Sequence, residues 1–186
     1  MRHVVITAVL STSILQASFA CAVQSQERVN PEAKVAADFL DRIDKYVEMR
    51  KHADDGVPRQ KETEDPAKIR IAQEALAKRI MMARAGARRG DIFTAEIATR
   101  FRRILRPEVK DADTRKLIQE DNPGNFPFKV NGPYPDKEPL STVPPNVLAA
   151  LPRLPEEIEY RFVGKHLILR DARANLIIDY IANVMA

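Results

Sequence analysis

Nine of the thirteen prolines in this chain fall between Pro123 and Pro155. A proline fixes φ and removes a backbone donor, so a run this dense in proline forms neither a long helix nor a central strand. The chain is therefore divided into a stretch before the run and a stretch after it. The two have different periodicities, and each is read on its own.

The first stretch carries the helical period. In "NPEAKVAADFLDRIDKYVEMRKHADDG", Asn30 is a good N-cap and Pro31 suits the first helical position. Ala36, Phe39, Leu40, Ile43 and Val47 recur at three and four and mark one apolar stripe. Asp54, Asp55 and Gly56 close the helix, and the polar "VPRQKETE" follows as a loop. Asp65-Pro66 repeats the cap-then-proline device. A second helix then carries Ile69, Ala72, Leu76, Ile80 and Ala83 inward, with Met81 and Met82 as adaptable core filler and Gly86 as its stop. A third helix starts near Thr94, turns Ile97, Phe101 and Ile104 inward and is predicted to end before Pro107. A short fourth helix covers about 113–120, with Leu117 and Ile118 as its large apolar residues.

Within the proline run, "FPFKV" reads as one strand and "PPNVLAALP" as a helical turn or two, with the rest wrapping the surface. After the run the period changes to two. Ile158, Tyr160 and Phe162 point one way while Glu159 and Arg161 point the other. Gly164-Lys165 suits a tight turn, and "HLILRD" and "NLIIDYI" supply two more strands. In the first of these, His166, Ile168 and Arg170 share a face that Asp171 does not. The expected fold is α+β: an N-terminal bundle of three to four helices, a Pro-rich connection and a C-terminal three-stranded antiparallel β-meander. The expected division is 1–22 as a signal peptide, 23–120 helical, 121–155 connecting and 156–186 the meander, packed as one domain with the helices.

The leader rests on its first 23 residues. Arg2 precedes the uncharged, mostly apolar Val4–Leu15, and the next charge after Arg2 is Glu27. A positive start, an apolar core and small residues near a cut are the parts of a secretory signal. As a helix that core measures about 18 Å, short of the roughly 30 Å of a bilayer interior. A retained anchor would need the whole of Val4–Val23, which Ser11, Thr12, Ser13 and Gln16 weaken. Cuts after Ala20 or Ala22 fit a small-residue rule. Cys21, the only cysteine, is then an offcut or an end residue. The alternative is a lipoprotein anchored through Cys21, against which Ser18 and Phe19 stand where such signals place Leu and a small residue. Without Cys21 there is no disulfide, thiol nucleophile or Cys-ligated metal.

The segment Leu154–Ile181, "LPEEIEYRFVGKHLILRDARANLIIDYI", resembles the C-terminal module of small exported bacterial proteins of unknown function. It also resembles the end of the periplasmic nickel/cobalt homeostasis (RcnB-like) family. Leu-Pro, an aromatic strand closing in Val-Gly, an apolar strand closing in Asp and a last strand of Ile-x-Asp-x-Ile carry the likeness. It implies export and a β-meander. Ala174-Asn175 stands where the module has a glycine, and no His-rich tract accompanies it. No metal-ligating or catalytic residue is therefore carried across.

Charge is nearly balanced overall, at +4. It is uneven, because twelve Lys/Arg face four acids between Lys68 and Lys110. Arg88, Arg89, Arg100, Arg102, Arg103 and Arg106 are the expected surface for an anionic partner. Apart from Phe93 and Phe101, which read as core, no aromatic residues interleave them for base stacking, so nucleic acid is not the expected partner.

Chemistry is sparse elsewhere. His52 and His166 lack the spacing of a metal pair, although His52 with Asp54 and Asp55 is a weak candidate cluster. Ser141 sits in no nucleophile elbow, and six scattered glycines form no phosphate loop. "EEIE" and "EDNPGN" read as surface and turn acids without the spacing of a calcium loop. No cofactor is expected. The expectation is a periplasmic or secreted, non-enzymatic interaction module. A metal-homeostasis accessory protein is the alternative, and an enzyme of unrecognised class the third.

Overall fold

The computed structural model describes residues 30–55 and 65–186. The predicted leader with Cys21, the loop at 57–64 and Gly56 lie outside them. The elements are α1 (Pro31–Asp54), α2 (Pro66–Ala83), α3 (Ala95–Lys110), α4 (Ala112–Glu120), β1 (Gly132–Pro133), α5 (Pro145–Ala150), β2 (Ile158–Val163), β3 (His166–Asp171) and β4 (Leu176–Ile181). This is the expected helical bundle followed by an antiparallel sheet. No helix among the described residues is long and apolar enough to cross a membrane.

The helix starts follow their sequence signals. Asn30 accepts from Glu32 N at 3.0 Å, Asp65 from Ala67 N at 3.0 Å and Thr94 from Ile97 N at 3.3 Å. Asp111 ends α3 and caps α4, accepting from Thr114 N at 2.8 Å. Pro107 does not end α3, which runs through it to Lys110. A proline in a helix interior removes one hydrogen bond. Here Leu105 and Val109, on either side of it, are both buried, and that packing holds the helix together.

The apolar stripe of α1 is rotated from expectation, and those of α2 and α4 are narrower than expected. On α1 the buried residues are Val35, Phe39, Ile43, Tyr46, Arg50 and Ala53, while Leu40 lies exposed. On α2 only Leu76 and Ile80 are buried, Ile69 is exposed and Met82 is 70% exposed rather than core filler. Leu117 is likewise exposed on α4, and Ile118 is the buried residue. The sheet dictates the rotation of α1, because that helix turns its polar Tyr46 and Arg50 toward β3.

The sheet order is β1-β4-β3-β2, all antiparallel. The expected three-stranded meander is β2-β3-β4, and the two-residue β1 adds a further strand beside β4. "FPFKV" pairs with nothing; the paired residues are Gly132 and Pro133, opposite Ile177 and Leu176. Pro127 cannot donate within "FPFKV", and that segment contributes side chains instead: Phe126 and Phe128 lie against the sheet with Tyr134 and Tyr180. The two-residue loop Gly164-Lys165 closes β2 onto β3 through the pair Val163 and His166. Gly164 has φ +54°, and a Cβ there would lie 1.9 Å from Asn125 Oδ1, so only glycine fits. Asn175 takes φ 51°, a left-handed turn conformation that asparagine tolerates.

Both faces of the sheet are covered. Leu167, Leu169, Leu176, Ile178 and Ile181 join Phe39, Phe93, Phe101 and the other helix residues in one core. Ile168 and Ile177 lie on the opposite face, beneath the proline-rich wrap. Asn131 fastens that wrap. Its side-chain amide donates to the carbonyls of Met81 and Arg84 at 3.0 and 2.9 Å, at the C-terminal end of α2.

Two wholly buried carboxylates face the helices. Asp171 accepts from Tyr46 Oη at 2.9 Å, Arg50 Nε at 2.7 Å and Ala174 N at 2.8 Å. Burial, and then Asp171 itself, pushes the Tyr46 hydroxyl pKa far up, so it stays a donor. Asp179 accepts from the backbone N–H groups of Gly90, Ile92, Phe93 and Tyr180 at 3.0, 2.9, 2.8 and 2.8 Å. A register shift at Leu169/Arg170 lets both Ile178 and Asp179 turn toward the helices. Arg84 Nη1 reaches Ile178 O at 3.2 Å.

Removing the Asp179 carboxylate orphans the connector's donors. Each unmet buried donor costs about 1–3 kcal/mol, so Asp179→Ala is expected to destabilise the protein by at least about 3 kcal/mol. A shift of the urea midpoint at unchanged m-value checks this.

Candidate functional site

The six arginines divide according to what holds them. Arg100 and Arg103 both pair with Glu32 at the start of α1. Arg102 Nη2 donates to Ala182 O at 3.1 Å, beyond the end of β4. Arg89 lies 5.4 Å over the Tyr180 ring. Arg88 and Arg106 are exposed, and no ion pair among the described residues holds either. The sequence reading saw one basic stretch; the structure distributes it over three anchors.

The histidines stay apart. His166 sits against the Phe128 ring at 5.7 Å, and burial followed by the charge of Arg89 lowers its pKa. His52 is exposed at the end of α1, and Asp54 pairs with Arg173 rather than with His52. Among the described residues, no three His, Cys, Asp or Glu side chains are grouped to hold a metal.

A concavity lies at the edge strand β2. A groove of about 610 Å³ runs between the α5 segment and β2. Leu148, Ala149, Pro152 and Leu154 form its apolar wall, and Ile158 and Tyr160 its strand side. Pro145 starts α5 at the first helical position and Leu151 ends it in extended conformation, which turns the chain back along the strand. Val147 anchors α5 in the core and leaves Leu148 outward, 47% exposed. Tyr160 Oη donates to Pro152 O at 3.1 Å and sets the width of the groove.

The strand side presents backbone as well as side chains. The antiparallel ladder directs the N–H groups of Ile158, Tyr160 and Phe162 away from β3. Ile158 N donates to Pro155 O at 3.0 Å, and Phe162 N to Ser141 Oγ at 2.7 Å. The Tyr160 N–H, between them, meets no acceptor among the described residues, and Tyr160 lines the groove. Ser141 is completely buried, and its carbonyl also accepts from Arg161 Nη1 at 2.8 Å. The role of Ser141 is to cover one end of an open strand edge. Sequence reasoning tested it only as a nucleophile and missed this.

Cations flank the groove. Arg153 is exposed, and the Nε of Arg161 is buried with no partner. Glu159 is held by Arg161 and Arg170. Burial raises its pKa, but the hydrogen bonds from Arg161 and Arg170 outweigh burial and hold the carboxyl below the usual range.

No family model, curated protein or solved structure matches this chain.

The lowered Glu159 pKa sets a pH dependence. The stability it contributes is complete above the unfolded-state value of about 4.3 and is lost as pH falls through the lower folded value. The wild type is expected to lose stability below about pH 4, and Glu159→Gln to lose less over the same window, read as urea midpoints at each pH.

Proposed function

We propose that this chain is a non-enzymatic interaction module of an exported envelope protein, and that the groove beside β2 takes an extended segment of a partner protein. One observation carries the reading: a strand edge with a free Tyr160 N–H beside an apolar groove. An exposed edge is a template for another strand unless something covers it. The chain covers Phe162 with its own Ser141 and Ile158 with Pro155, and leaves the position between them, Tyr160, open. A partner strand adds there through backbone hydrogen bonds, and its alternate side chains meet the Leu148 and Leu154 wall. The exposed Arg153 favours a segment with an acidic side chain. Export rests on the leader pattern of residues 1–22 and on the resemblance of Leu154–Ile181 to exported modules.

A fluorescein-labelled peptide Asp-Val-Thr-Val-Thr-Val is a suitable probe. Fluorescence anisotropy is expected to give saturable binding with a dissociation constant of about 100 μM or tighter. Leu148→Glu, an exposed change, is expected to weaken binding about tenfold, as is replacing the peptide's Asp by Lys. Binding should also slow amide exchange at Tyr160. No saturation up to about 1 mM, or binding indifferent to Leu148→Glu, refutes the reading.

A further inference from the structure

α2 is the least covered helix of the bundle. Only Leu76 and Ile80 are buried, although the helix is apolar on more than one side. Ile71 is 64% exposed and Met82 is 70% exposed. They lie eleven positions apart, which is three full helical turns to within about 20°, so they share one outer face. Glu74 and Lys78 sit between them, both exposed. Met82 stands as a ridge between two shallow apolar hollows. One, of about 470 Å³, is lined by Glu74, Ala77, Lys78, Met81, Met82 and Ala85. The other, of about 640 Å³, is shared with Met49, His52 and Ala53 of α1.

This face is complementary to itself. An antiparallel two-fold pairing requires residues that meet to be spaced evenly about one centre. Ile71 and Met82 are centred between Leu76 and Ala77. Glu74 and Lys78 are centred on Leu76. The apolar pair and the charged pair thus place the axis within half a residue of each other. In that pairing Ile71 packs on Met82 of the second copy and Glu74 faces its Lys78. We propose that α2 is a homodimer surface, with a second copy of this chain seated antiparallel on the Ile71–Met82 face. A single-helix contact of this length is at the small end of specific interfaces, so the dimer is weak and concentration-dependent.

Analytical ultracentrifugation of the protein as its host produces it, up to about 0.5 mM, tests the proposal. The expected result is a monomer–dimer equilibrium. Met82→Asp is expected to raise the dissociation constant at least about tenfold with an unchanged circular dichroism spectrum. Glu74→Lys should weaken the dimer, and Glu74→Lys combined with Lys78→Glu should restore it, because a two-fold partner swaps both charges together. A monomer throughout, a dimer unaffected by Met82→Asp, or a double swap that fails to restore it overturns the proposal. So does loss by Met82→Asp of binding to anionic vesicles or to another protein, with the monomer–dimer equilibrium unmoved.

Discussion

Asp179 holds the helices to the sheet. A carboxylate in an apolar interior is costly unless its oxygens are met. Here they are met by backbone N–H groups, three of them from the connector between α2 and α3. That connector has little regular structure of its own, and its amides need acceptors. Each side thus supplies what the other lacks. Gly90 adopts φ 95° within this turn, and Ile92 and Phe93 enter the core on either side of the bonds they make. The start of α3, and with it the position of Phe101 under β2, follows from this contact.

Asp171 has a similar role on the neighbouring strand, through side chains rather than backbone. Arg50, 3% exposed, and Tyr46 reach it from α1. Arg84 bridges the two carboxylate sites, lying 5.3 Å over the Tyr46 ring while bonding to Ile178 O. A buried ion pair is weak evidence for stability, but its directional bonds specify which helix turn meets which strand. This accounts for the rotation of α1 that leaves Leu40 outside. On the other face Asn131 and Asn175 tie down the proline-rich wrap. With both faces covered, the edge at β2 and the outer side of α2 are left open among the described residues.

The fold class was legible because its signals are local. Caps at Asn30, Asp65 and Thr94, the alternation from Ile158 to Phe162 and the Gly164 turn all depend on neighbouring residues. What depends on distant partners was not legible. Pro107 sits inside a helix because Leu105 and Val109 pack against the core. Gly132 and Pro133 form a strand because β4 offers them an edge. Arg100 and Arg103 are neutralised by Glu32, some seventy positions away in sequence. The buried acids did leave a signal. Asp179 lies between Ile178 and Tyr180 in an otherwise apolar strand, and a lone carboxylate there requires partners from elsewhere. The groove at β2 left none beyond the edge itself, since α5, Ser141 and Tyr160 meet only in three dimensions.

Residue-resolved hydrogen exchange on the amides of Ile92 and Phe93 tests the central claim most directly. If Asp179 clamps the connector, these amides exchange only through global unfolding, with the same opening free energy as Ile168 in the middle of β3. Exchange at the rate of an exposed loop, while Ile168 stays protected, would contradict the account. The helices would then be held to the sheet by apolar packing and the Asp171 contacts, without the Asp179 clamp.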